Sequence, residues 1–235
     1  MPKTTTALHD FSGAASGFFS NTRTAASLVL GTSMGALFVL SNFSNAQQRR
    51  RTPLELTLIK AYRLLAWSAY ILSLNTVITC TVATNTLLHG QFDPMAETAS
   101  HMLQREFQYE FVFTRWSMLL ALLLFVVIVT LRLVLEFHLL SDADRSDTAK
   151  FVLLSATALL AHLFSYINDT LFHWDNVVTM TLDMMGVMID RYWHHPTPLK
   201  GLAAVAAGAS MYFGFKSAFT STTSMPTTKD EAKNN

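Results

Sequence analysis

Between Trp116 and Leu131 the chain reads WSMLLALLLFVVIVTL, a run without one ionisable group. A helix that is apolar on every face has no side to offer to water, so such a run belongs in hydrocarbon or at the centre of a large core. Composition decides between the two. Of 235 residues, 51% are hydrophobic and only 14% charged, with a mean hydropathy of +0.30. That is too little charge to cover a soluble domain of this length, and the apolar residues come in blocks rather than at amphipathic spacing. The expected fold is all-α, a polytopic membrane helix bundle with four to five transmembrane helices and an interfacial amphipathic helix.

Since roughly 20 helical residues at about 1.5 Å each cross the hydrocarbon layer, five spans are expected, at Thr24 to Asn42, Leu64 to Leu88, Val112 to Leu135, Phe151 to Phe172 and Leu199 to Phe219. The first and fifth are rich in Gly, Ala and Ser, so their insertion needs neighbours, and a four-span arrangement drops the fifth. Basic residues are retained on the cytoplasmic or equivalent face. Arg49, Arg50 and Arg51, with Lys60 and Arg63, therefore place the first loop inside. Alternating from there leaves 11 of the 17 Lys and Arg residues inside (positions 49, 50, 51, 60, 63, 132, 145, 150, 216, 229 and 233) and 6 outside. Residues 1–21 form a polar N-terminal segment, 22–219 the membrane bundle and 220–235 a polar tail expected to be disordered, having almost nothing to bury. The first segment has few acids and many hydroxyls, a composition that suits an organellar transit peptide.

The net charge of +1, without a basic stripe, gives no grip on nucleic acid. The single cysteine, Cys80, lies in an apolar block, which rules out an internal disulfide framework. Neither a G-x-S-x-G elbow nor a histidine-box set nor a phosphate loop is present, and no cofactor is expected.

Three groups of residues stand out. In the second span Ser68, Asn75, Thr79 and Thr86 fall within roughly 40° of one another at about 100° per residue, making one polar stripe. Such a stripe is either interhelical glue or a polar conduit. In the fourth span His162, Asp169 and His173 share a face. Ionisable groups inside a membrane are costly and point at a partner. Asp169 is expected to pair with Arg115 at the head of the third span. The alternative, a metal site, has only Asp169 and His173 close enough to chelate together, because a seven-residue gap puts His162 about 10 Å away along the axis. Farther on, Trp174 to Trp193 places Val178, Leu182, Met185, Ile189 and Trp193 on one face and Asn176, Asp183 and Asp190 on another, as in an interfacial helix. Met180, Met184, Met185 and Met188 would give it a deformable surface for a partner protein, for lipid or for its own bundle.

Small residues repeat at Ser27, Gly31 and Gly35 and at Gly201, Ala204 and Gly208, rows that allow close backbone approach. Arg132 and Glu136 can pair at a four-residue spacing. With no catalytic motif in view, the expected function is that of a non-enzymatic membrane protein, a homo-oligomeric or accessory subunit of a membrane complex. The alternative is a small channel or carrier with a polar path along residues 68–86. The expected partners are the lipid bilayer and a membrane protein or a second copy.

Overall fold

A computed structural model of the chain describes residues 8–39, 53–90, 92–139, 145–170, 176–194 and 197–219. They are almost entirely helical. The order is β1 (His9–Asp10), α1 (Ser12–Val39), α2 (Pro53–His89), β2 (Met95–Ala96), α3 (Ala99–Glu106), α4 (Gln108–Leu139), α5 (Arg145–Thr170), α6 (Val177–His194) and α7 (Pro198–Phe219).

Three of the described helices are long and apolar enough to cross a membrane, over Thr57–His89, Gln108–Leu135 and Lys150–Asp169. These correspond to the second, third and fourth expected spans. In α1 the apolar residues are diluted by Gly, Ser and Thr. In α7 the apolar stretch runs over Gly201–Gly214. Four to five spans thus remain an expectation for which three helices are in place.

Helix ends follow local chemistry. Pro53 opens α2 at a position where its missing N–H costs nothing. Gly90, at φ 65°, closes it in the left-handed conformation, its amide donating to the Leu87 carbonyl. Thr98 caps α3 by accepting from the His101 amide at 3.2 Å. Asn176 and Thr179 cap α6 reciprocally: the Thr179 amide donates to Asn176 Oδ1 at 2.9 Å and the Asn176 amide to Thr179 Oγ1 at 3.2 Å. α1 begins at Ser12, well inside the polar N-terminal segment. It is held there by the antiparallel β1–β2 pairing of His9 with Ala96 and Asp10 with Met95, and by the Phe11 amide donating to Pro94 O at 3.1 Å.

Both α1 and α4 run antiparallel to α2. Near the start of α2, Ala36 of α1 and Ile128 and Leu135 of α4 meet Ile59, Tyr62, Ala66 and Ala69. Near its end, Ala15 and Phe19 of α1 and Phe111 and Val112 of α4 meet Cys80 and Ala83. Phe107, at the break between α3 and α4, joins this cluster, with its ring 6.0 Å from Phe19 and 5.6 Å from Phe92. α5 flanks α4 alone. α6 closes over both, with Met180 packed against Leu123 and Ile167.

Candidate functional site

The face that α2 turns inward is a row of small residues, Ala66, Ala69, Ser73, Thr76, Cys80 and Ala83, all buried. Alanines at this spacing let three backbones approach closely. The hydroxyls among them then become the specific contacts. Thr76 Oγ1 lies 2.8 Å from the Leu72 carbonyl and 2.7 Å from Ser117 Oγ, and either hydroxyl of that pair can donate to the other. Thr114, also buried, turns its hydroxyl back to the Glu110 carbonyl. Tyr62 reaches across to α1, its hydroxyl donating to Ala36 O at 3.0 Å. The hydroxyls of Ser33 and Ser73 are buried without a partner among the described residues.

The polar stripe anticipated on α2 is on the other side. Ser68, Asn75 and Thr86 are exposed and Thr79 is half-buried. Ser68 and Thr86 satisfy themselves by donating to the carbonyls of Leu64 and Val82. The Asn75 side chain has no hydrogen-bond partner among the described residues, although it sits near the middle of the Thr57–His89 span. The stripe therefore does not line the interior of this bundle. The small-residue rows also turn away: Ser27, Gly31 and Gly35 on α1 and Gly201, Ala204 and Gly208 on α7 are exposed, and a Cβ added at any of these glycines would meet nothing within 4 Å.

No ion pair among the described residues joins Arg115 to Asp169. The azimuths explain this. Arg115 stands over the Phe111 ring at 5.6 Å, and Phe111 packs on Phe18 of α1, so this guanidinium lies on the α1 side of α4. Ile167 turns toward α4 and α6, whereas Asp169, about 200° farther round α5, is exposed. His162 is exposed too, His173 lies outside the described residues, and no group of three or more His, Cys, Asp or Glu among the described residues could hold a metal ion.

The methionines of α6 divide between its two sides. Met180 and Met184 are buried and Met188 packs on the cluster around Phe19, Cys80 and Phe107, so they hold α6 to its own bundle. Met185 is exposed, on one stripe with Val178, Leu182, Ile189 and Trp193, the last 81% exposed. Trp116 Nε1 donates to Thr181 Oγ1 at 3.1 Å, and Val177 N donates to Asn168 Oδ1 at 3.1 Å. At the C-terminal end of α6 Arg191 completes the attachment, 3.1 Å from Glu110 Oε1 and 4.0 Å above the Tyr109 ring. The cavity beside it, about 470 Å³, is lined by Arg105, Glu106, Glu110, Asp190, Arg191 and His194 among others. Its polar side chains are paired: Arg105 with Asp93 and Glu106, Arg191 with Glu110, and His194 Nδ1 with Asp190 Oδ1 at 2.9 Å. A clasp of this kind positions helices. Sequence reading missed it, because only the fold brings positions 110 and 191 together.

Outside the membrane-spanning segments, Asp10 Oδ1 accepts the Ser12 amide at 2.8 Å at the start of α1, which holds its carboxyl below the usual aspartate range. Between α4 and α5 lies an apolar groove of about 430 Å³, floored by Ser155 and Ala156 and walled by Phe125, Val129 and Phe151.

Comparison with known proteins finds no matching family model, no matching curated protein and no matching solved structure.

Proposed function

We propose that this chain is a non-enzymatic, multi-pass membrane protein that acts as a subunit of a membrane assembly, with copies of itself or as an accessory chain beside other proteins. In this reading α1 and α7 join α2, α4 and α5 in crossing the bilayer and α6 rests at the outer side; the composition of the N-terminal segment suits an organellar membrane without fixing the compartment.

The observation that carries the reading is where the association-prone residues point. Close-approach glycines and hydrogen-bonding side chains are the means by which membrane helices recognise one another, and in this chain Gly31, Gly35, Ser68, Asn75, Gly201 and Gly208 all face away from its own bundle. α7 adds to this, with Leu199 77% exposed and Leu202, Val205, Met211 and Phe213 exposed as well.

The same stripe on α2 supports the second reading, a channel or carrier. Because it faces outward, such a conduit would run between copies rather than through one chain. The two readings separate on reconstitution. Native nanodiscs drawn from the source membrane should carry this chain together with a second membrane chain, its own copy included, and proteoliposomes of the purified protein should show no selective flux. A selective conductance abolished by Asn75→Leu would put the channel reading first. A chain isolated alone would end the subunit reading.

A further inference from the structure

We infer that the outward face of α2 is a self-association seam, on which a second copy of this chain packs its own α2 in parallel and in register, pinned by Asn75 against Asn75 of the second copy. The inference rests on the subunit reading above and names the partner.

The exposed residues of α2 are not scattered. Ser68, Ile71, Asn75, Ile78, Val82 and Asn85 follow one another at intervals of three, four, three, four and three, and all six are exposed, Ile78 to 52% and Val82 to 54%. Alternating three and four is the 3.5-residue repeat of a left-handed helix pair, in which each such residue inserts between residues of the facing helix. The inward face of α2 has the same repeat, from Ala66 through Ala69, Ser73, Thr76 and Cys80 to Ala83, and there it is filled by α1 and α4. One side of the helix is thus engaged in this mode, while these six residues on the other side are exposed, α7 touching α2 as well.

Asn75 selects the occupant. In hydrocarbon an amide needs a partner, because no water is there to take its place. An acyl chain offers neither donor nor acceptor. A second Asn75 offers both, since a carboxamide accepts through its oxygen and donates through its nitrogen. Two copies inserted with the same topology are related by an axis along the membrane normal. Their α2 helices then run parallel, and residues near the axis meet their own equivalents. An asparagine in a core position of a 3.5-residue repeat fixes register and copy number in this manner, and Asn85 is the other amide in this row. No charged residue interrupts the seam between positions 68 and 85.

The test uses full-length protein in nanodiscs, with Cys80 replaced by alanine and single cysteines introduced at positions 71, 78 and 82. Leu28 on α1 and Leu159 on α5, both exposed, serve as control positions. Oxidation should give disulfide-linked dimers at the α2 positions and not at the controls. In the chain that keeps Cys80, a dimer dissociation constant measured by energy transfer should rise about tenfold with Asn75→Leu, with partial recovery in Asn75→Gln. Cross-links confined to the controls, or a dissociation constant indifferent to Asn75→Leu, would overturn the seam. A chain found as one copy within a complex with a different membrane protein would overturn self-association and leave the subunit reading standing. A chain found as a lone monomer would overturn both.

Discussion

Removing one hydroxyl from the pair between Thr76 and Ser117 measures how the three-helix core is specified. Both side chains are buried, α2 and α4 approach through alanines on either side, and the oxygens are 2.7 Å apart. Thr76→Val replaces the hydroxyl by a methyl of nearly the same volume, so little cavity forms. Each partner also retains an alternative. Without Thr76, the Ser117 hydroxyl can turn to the Thr114 carbonyl, already 3.4 Å away; without Ser117, Thr76 still donates to Leu72 O. The cost of an orphaned buried hydroxyl, about 1–3 kcal/mol, is therefore largely avoided. What remains is the interhelical bond, which in membranes averages about 0.6 kcal/mol and reaches about 1.7 kcal/mol. Short, dry and well enclosed, this pair should lie in the upper half of that range, near 1 kcal/mol. A double-mutant cycle of Thr76→Val, Ser117→Ala and the combination, read by reversible unfolding in bicelles, isolates the coupling. Effects that add to within about 0.3 kcal/mol would refute the bond.

The partnerless hydroxyls should behave in the opposite way: Ser33→Ala and Ser73→Ala ought to leave stability unchanged or raise it, and a loss above about 1 kcal/mol would mean that they are bonded after all. On α6, Met180→Ala should cost about 2 kcal/mol or more while Met185→Ala costs less than about 0.5 kcal/mol, and equal effects in the same unfolding assay would reverse the assignment of its faces. Arg191→Leu should cost about 1 kcal/mol at most, because the ion pair with Glu110 is partly exposed and screened, but it should open the C-terminal end of α6 to limited proteolysis. Unchanged cleavage would show that the clasp is not what holds that end. Asp10 should titrate below the ordinary aspartate range by carbon NMR of its carboxyl group. Because its folded value is depressed, its contribution is present above that range and lost as pH falls through the folded value; titration at or above the ordinary value would contradict the Ser12 contact.

The sequence made the helices legible and left their azimuths hidden. Apolar run length is a one-dimensional property, so α2, α4 and α5 could be located from it. α1 extends farther toward the N-terminus than its apolar run because Phe18 and Phe19, in a polar segment, pack on Phe111 and Phe107. Which side of a helix faces its own bundle is a tertiary matter. The stripe of Ser68, Asn75, Thr79 and Thr86 was recognised as a face, but in hydrocarbon an apolar side can point either way, and polarity does not tell in from out. The better signal was residue size: Ala66, Ala69, Ser73, Thr76, Cys80 and Ala83 repeat at intervals of three and four, and that row is the one buried against α1 and α4. Arg115 and Asp169 were expected to meet at a shared depth, and depth alone does not supply the rotation that a pair requires. The α6 methionines split for the same reason.

The central claim, that the outward-facing residues of this bundle are covered by another membrane chain, is tested most directly by native mass spectrometry of particles extracted from the source membrane without detergent. The account predicts a particle heavier than one chain of 26.2 kDa, with self-association giving twice that mass plus lipid. A particle containing one chain and lipid alone would contradict it.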